Sequence, residues 1–280
     1  MRQTTAAPAA TGRRTIGSGP DLSAEVTVFV TTVGAPTFAD CMTRLEAQDV
    51  TVSFGLLDHV APLTAALQEM ADRCTTPYYV QVDEDMLLDS DAIRRLYELI
   101  RNEWHDVAIV VGMLDDDHLD LPIEGVKINR LAMVRDFDWR IHGSVLRRNA
   151  ALAGAHYRIA RRPMSGSGQK LTFGTHVVGR DPRMVFDRYR DLERLRRAAP
   201  EEIVWFDGYA DEFARRFRTT GDAVDFFALL GILTAGAEED AGRPAGTQAK
   251  DFRRRDADAA FDAAAELWRA LEAERGSAGA

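Results

Sequence analysis

Asp83, Glu84 and Asp85 are the residues of this chain best placed to do chemistry: three carboxylates in a row, closing the β-prone run Tyr78-Tyr79-Val80-Gln81-Val82 and followed by Met86. Adjacent acids repel one another unless a cation sits among them. A divalent metal is the simplest such partner, because Mg2+ and Mn2+ take carboxylate oxygens and can bridge them to a diphosphate. An isolated Asp-x-Asp is more often a solvated strand end. What surrounds this one therefore decides its meaning.

Val26-Thr27-Val28-Phe29-Val30 has the pattern of a strand covered on both faces. Thr31 to Pro36 follows as a small-residue loop whose proline suits a helix start. The spacing of Phe38, Met42 and Leu45 predicts a helix from about Thr37 to Gln48. Val50 to Leu57 reads as a second strand, and Asp58 and Pro62 open a second helix with Leu63, Leu67, Met70 and Cys74 on one face. The acid-bearing run is the third strand. Asp89 or Ser90 caps a third helix carrying Ile93, Leu96, Tyr97 and Ile100, and Val107 to Met113 is a fourth strand. This β-α-β-α-β-α-β order predicts a parallel, doubly wound sheet with right-handed crossovers. Such sheets bind ligands at the carboxyl ends of their strands. Thr31 to Gly34, Asp58 and Asp83 to Asp85 all fall at that edge, so topology alone predicts a nucleotide-sized pocket there.

Beyond Met113 the pattern changes. Val126 to Val134 and Gly143 to Arg148 read as shorter strands of a mixed region, and Pro163 to Lys170 as a flexible loop. Helices are expected from Asp181-Pro182, from Pro200 (with Phe206, Tyr209 and Phe213) and from Gly221. Ala237 to Lys250 reads as a linker before a last helix with Phe261, Ala264, Ala265, Trp268 and Leu271 on one stripe.

At 280 residues and 46% hydrophobic content the chain can bury a full core. A formal charge of −9 argues against a nucleic-acid binder, whose affinity rests on basic surface. The two cysteines, Cys41 and Cys74, fall on expected helices and read as reduced and structural, in a cytoplasmic protein. The best apolar run, Phe226 to Leu233, is too short to span a membrane.

Taken together, Val26 to Arg148 resembles the GT-A fold glycosyltransferases, specifically family 2, with a further anchor at His176. The resemblance rests on the apolar first strand and its loop, on the helix pattern Cys41-x-x-x-Leu45-x-x-Gln48, on Asp83-Glu84-Asp85 as the family's D-x-D, and on Ile141-His142-Gly143-Ser144-Val145-Leu146-Arg147-Arg148 as a small-residue strand ending in arginines. It implies an α/β Rossmann-like wound mixed sheet with a helical C-terminal extension. The corresponding organisation is a flexible leader (1–22), a nucleotide-sugar-binding and catalytic domain (23–180), an acceptor-side helical part (181–236), and a linker with a terminal helix (237–280). The implied activity is transfer of a sugar from a nucleoside-diphosphate sugar, UDP favoured, to a small-molecule, glycan or lipid-linked acceptor, with Mn2+ or Mg2+. Thr31, Thr32, Gly34 and Asp58 would contact base and ribose, though Asp58 reads equally as an N-cap. Asp83 would face the ribose or the metal shell, Asp85 would ligate the metal with His176, and Arg147 and Arg148 would line the donor side.

Two features depart from a simple match. From Trp139 through Arg180 there is no Asp or Glu, while Arg140, Arg147, Arg148, Arg158, Arg161, Arg162, Lys170 and Arg180 share the segment with three histidines. This suggests a positive wall beside the acidic edge. It also removes the acid that inverting members place after the small-residue strand. Either the base comes from Asp136, Asp138, Asp181 or the Asp115-Asp116-Asp117 cluster, with Asp138 favoured because Trp139 beside it could stack on a sugar, or the reaction retains configuration and needs no dedicated base. A nucleotidyltransferase of related fold is the rival reading, but Thr31 to Pro36 holds one glycine and no basic residue for a triphosphate. A dinucleotide-dependent oxidoreductase fails for want of a G-x-G-x-x-G. A non-catalytic nucleotide-sugar binder is the third.

Overall fold

The computed structural model describes residues 14–119, 121–139, 145–162, 172–177, 179, 181–198, 200, 206–237 and 259–278. Its centre is a nine-stranded mixed sheet, β1 (Thr15–Ile16), β2 (Val26–Thr32), β3 (Val52–Asp58), β4 (Tyr78–Asp83), β5 (Met86–Leu88), β6 (Val107–Asp116), β7 (Pro122–Arg130), β8 (Arg158–Arg162) and β9 (Gly174–His176). The spatial order is β1-β3-β2-β4-β7-β6-β9-β5, with β8 paired to β6. Helices α1 (Phe38–Glu46), α2 (Leu63–Arg73) and α3 (Ala92–Asn102) connect the wound strands.

β3, β2 and β4 run parallel, as their hidden apolar runs require. The fourth strand does not join them directly. β7 inserts between β4 and β6, antiparallel to both, so the sheet is mixed where a continuous parallel order was expected. Each of Val107 to Val111 is buried, which marks β6 as interior but cannot say which strands flank it. β1 also joins the sheet, antiparallel to β3 (Thr15↔Ser53), so the segment expected as a flexible leader begins pairing at residue 15.

The Cys41-x-x-x-Leu45-x-x-Gln48 pattern turns out to be architectural. Cys41 and Leu45 are fully buried beneath the sheet, while the Gln48 amide donates to Asp89 O and accepts from Ile93 N. That side chain ties the end of α1 to the start of α3. Neither Asp89 nor Ser90 caps α3 through its side chain; the N-cap position is Asp91. Both cysteines are buried and free.

Past β7 the sequence expectations need correction. Val126 to Val134 divides into the end of β7 and a short helix, α4 (Leu131–Val134), and the supposed strand at Gly143 to Arg148 is entered by helix α5 (Val145–Gly154). Arg147 and Arg148 therefore lie on a helix. Pro163 to Lys170 and most of the linker fall outside the described residues.

The C-terminal part is helical: α6 (Pro182–Ala198), α7 (Tyr209–Thr220), α8 (Ala223–Ala237) and α9 (Ala259–Ala278). The second of these begins at Tyr209, after Gly208 in a left-handed conformation, and residues 201–205, next to the expected start at Pro200, lie outside the described residues. α8 is mostly apolar because much of it, Phe226, Phe227, Ala228, Gly231, Ile232 and Ala235, is buried in this bundle, although Leu233 is exposed. Gly231 lets it approach α6 closely, since a Cβ there would lie 2.4 Å from Phe186 O. α9 covers the bundle through Phe261, Ala264, Trp268 and Leu271. Among the described residues no helix is long and apolar enough to cross a membrane.

Candidate active site

The sheet register assembles one edge from distant parts of the chain. Thr31 lies opposite Asp83, and Thr32 opposite Asp58, across neighbouring parallel strands. β9 then pairs with two partners at once, placing His176 opposite both Met86 and Asp116. The carboxyl ends of β2, β3, β4 and β6 thus lie along one rim of the sheet, with β9 joined to it beside β6, and this is the edge where wound sheets bind ligands.

On that rim Thr31 Oγ1 donates to Asp83 Oδ1 at 2.6 Å. Gly34 has φ +81° and no heavy atom nearer than His59 Cε1 at 4.0 Å from the position of a Cβ, so the loop after β2 presents bare backbone to open space. Asp58 is exposed and its Oδ1 pairs with His59 Nδ1. It does not cap α2, whose N-cap is Pro62 with no side-chain hydrogen bond. Thr31, Thr32, Gly34, Asp58 and Asp83 are therefore brought together at one edge of the sheet.

Asp85 and His176 also meet. His176 Nε2 stands 3.7 Å from Asp85 Oδ2, and Val177 N donates to Asp85 O at 2.8 Å. The other ring nitrogen, Nδ1, lies 2.9 Å from Asp116 Oδ2 and 3.3 Å from Arg188 Nη1. The shorter contact to a carboxylate favours the proton on Nδ1, which leaves the Nε2 lone pair directed toward Asp85. A carboxylate behind a histidine in this way is how metal-binding imidazoles are oriented.

Asp116 is the residue that the sequence reading undervalued. Its side chain is wholly buried; Oδ2 accepts from Arg188 Nη2 at 2.9 Å, and Oδ1 accepts from His118 N and Leu119 N. Burial by itself would raise this carboxyl. The hydrogen bond from His176 and the Arg188 charge outweigh it and hold Asp116 well below the usual carboxylate range. Three consecutive acids gave no sign of this in sequence, because Asp116 closes β6 and its side-chain partners come from β9 and α6.

A divalent ion would fit part of this rim. Two ligands at right angles on a six-coordinate ion stand ~3 Å apart, and the Asp85–His176 gap of 3.7 Å closes to that with a small side-chain adjustment. Among the described residues no set of three His, Cys, Asp or Glu side chains forms a ready shell. Two protein ligands with the remainder supplied by water and phosphate is a familiar arrangement for Mg2+ or Mn2+.

The remaining candidates separate. Trp139 is 4% exposed and packs in the core with Leu57, Ala66 and Met70, its backbone N–H donating to Gln68 Oε1, so it offers no ring to a sugar. Asp138 is exposed on the turn after α4, which the chain enters from the amino end of β4, where Arg130 faces Tyr78. Asp181 accepts from Met184 N and caps α6. Two members of the expected positive wall are committed elsewhere: Arg158 is bidentate to Asp106 and Arg161 pairs with Glu124. The side chains of Arg147 and Arg148, and all of His142, lie outside the described residues. Beside the rim, Asp116, Asp117, Leu119, Tyr209, Glu212 and Arg216 border a cleft of about 910 Å³.

No protein-family model matches the sequence, and no curated protein matches it. Solved structures show a loose likeness of fold. The chain is similar to a mannosyltransferase from Pyrobaculum calidifontis in complex with GDP-Man and Mn2+ (14% identity, 84% of this chain and 80% of that one, TM-score 0.45). It is similar to the 2-C-methyl-D-erythritol 4-phosphate cytidylyltransferase of Thermus thermophilus (15% identity, 53% and 93% covered, TM-score 0.34). A third is the bifunctional IspDF of Campylobacter jejuni (10% identity, 53% of this chain, TM-score 0.35), of which the match spans about half, 52%. Likenesses this distant say nothing of activity. The description as a wound mixed α/β sheet with a helical C-terminal extension rests on the strand order and register themselves.

Proposed function

We propose that this chain is a metal-dependent glycosyltransferase that takes a sugar from a nucleoside-diphosphate donor, UDP-linked by preference. The observation that carries this reading is the convergence at one rim of Asp85, His176 and Asp116 with the Thr31–Gly34 loop and Asp58. The first group suits an ion and a diphosphate; the second offers the bare backbone at Gly34 and the exposed Asp58 carboxylate where a base and ribose would lie. Thr31, Thr32, Gly34 and Asp58 hold the nucleoside, with Asp83 fixed by Thr31 beneath the ribose. Asp85 and His176 would hold Mn2+ or Mg2+, which when bound supplies positive charge to a departing diphosphate. Asp116 keeps the His176 imidazole in the right tautomer and Arg188 adds charge behind it.

The cleft beside Asp116 receives the acceptor. Asp117, whose N–H donates to His176 O, borders both rim and cleft and is the better-placed base. This replaces the expectation of Asp138, which approaches from the other end of the sheet. Arg147 and Arg148 on α5 are retained as donor-side cations.

Thermal-shift titration with UDP, GDP, TDP and CMP, each with and without Mn2+, tests the donor class, followed by assay of donor hydrolysis. Stabilisation by a nucleoside diphosphate that deepens with Mn2+ is expected. Pyrophosphate release from a nucleoside triphosphate would instead make the chain a nucleotidyltransferase, and binding without any turnover a non-catalytic binder.

A further inference from the structure

Glu84 was read from sequence only as the middle member of an acid triplet, yet its surroundings differ from those of its neighbours. It has no exposed surface, whereas Asp83 and Asp85 are partly open. Its carboxylate reaches away from the rim's opening into the loop after β2. There Oε2 accepts from Thr32 Oγ1 at 2.6 Å and from Ala35 N at 2.7 Å, while Val33 N lies 3.3 Å from both oxygens. Thr32 Oγ1 in turn accepts from Gly34 N at 3.0 Å. The backbone adds a further tie, Glu84 N donating to Thr31 O. A single buried carboxylate thus holds the donors of a loop that has no regular structure to satisfy them.

Resting on the donor reading above, we propose that Glu84 is a positioning residue that fixes the nucleoside-holding loop in register with the metal-facing turn. The three acids then have separate tasks. Asp83 anchors Thr31, Asp85 faces His176, and Glu84 joins the two halves of the site into one rigid piece. A flexible loop would have to be ordered by each incoming nucleotide, and that ordering would weaken binding. The preformed loop avoids it.

The experiment compares wild type, Glu84→Gln and Asp85→Asn, measuring UDP and GDP affinity by calorimetry with and without Mn2+ alongside melting temperature. Glutamine keeps the volume but places an N–H2 against a donor, so the grip on Val33 or Ala35 is lost while the core stays filled. Glu84→Gln should weaken nucleotide binding about tenfold whether or not Mn2+ is present. Asp85→Asn should remove only the part that Mn2+ adds. A Glu84→Gln protein with unchanged affinity and merely lower melting temperature would overturn the proposal. Amide hydrogen exchange at Val33 and Ala35 supplies a readout that needs no nucleotide. Faster exchange at those two amides, and not across β2, is expected in the variant, and unchanged exchange would overturn the clamp itself. Should the wild type bind neither nucleotide while the amides do lose protection, the donor reading fails and the clamp stands as loop architecture alone, which overturns the positioning role.

Discussion

Two histidine–aspartate pairs lie only a few residues apart around the end of β6, and they are built to opposite ends. At the rim, His176 binds Asp116 through Nδ1 and leaves Nε2 3.7 Å from Asp85, with side-chain exposures of 12% and 15%. Behind it, His118 has no nitrogen to spare. Its Nδ1 meets the Tyr189 hydroxyl, its Nε2 meets Asp225 Oδ1 at 3.0 Å, and its ring stacks on Phe213. Arg216 closes the pair by binding Asp225 at 2.9 Å and His118 O. One pair is open on the side where a ligand could enter. The other is closed by α6, α7 and α8 and works as a polar bolt that fastens the helical part to the end of β6. Asp116 belongs to both, since its Oδ1 holds the amides of His118 and Leu119. A histidine beside an acid therefore says little alone; what matters is whether its second nitrogen is taken.

The largest effect that would break this contrast is at the open pair. Asp85→Ala should cut donor turnover by roughly 10²–10³-fold with melting temperature almost unchanged, because its side chain faces the rim. Normal turnover by that variant, followed as nucleoside diphosphate released, would remove the metal assignment. Asp117→Asn should lower turnover by about a hundredfold or more with donor affinity retained, and Asp138→Asn should leave it nearly intact. The reverse outcome would restore Asp138 as the base.

The closed pair should answer in stability. Asp225→Ala leaves Arg216 and His118 without their shared buried partner, a loss of about 3–5 kcal/mol by analogy with broken buried ion pairs, read as a drop in urea midpoint. A variant that unfolds at the wild-type midpoint would mean the bolt carries no load.

How much of this was legible follows the same division. β2, α1, β3, α2, β4 and α3 could be read because each is a long apolar period whose partners are its neighbours in sequence, and the edge that holds Thr31, Gly34, Asp58 and Asp83 comes with that topology. His176 could be suggested only by resemblance; its position depends on β9, three residues long, pairing with β5 and β6. The insertion of β7 was hidden because periodicity marks a strand without naming its neighbours. Val145 to Gly154 misled for a local reason, since the β-type residues at its start outweighed the alanines that continue it as a helix. Trp139 misled because an aromatic residue beside an acid looks the same in sequence whether it faces a sugar or a core. His118 and Asp225 could not be joined at all, being paired across 107 residues.

A smaller effect sharpens the contrast through pH. Burial, opposed by the Asp225 hydrogen bond and aided by Arg216 and Arg188, lowers the His118 pKa from its ordinary value near 6.5. A histidine that is harder to protonate folded than unfolded favours folding fully above its unfolded pKa, and that contribution is lost as pH falls toward the folded one. Asp116 is also lowered, but a depressed carboxylate gives up its stabilisation only as pH drops below the ordinary aspartate value, near 3.8. The two regions should therefore fail in different windows. Urea midpoints should decline from about pH 6.5 downward through the closed pair, well before the open pair's carboxylate is touched. His118→Gln should flatten the slope between about pH 6.5 and 5 while leaving the steep loss below about pH 4. If the upper slope survives His118→Gln unchanged, the acid sensitivity lies outside the bolt, and the division between a working pair and a fastening pair is drawn in the wrong place.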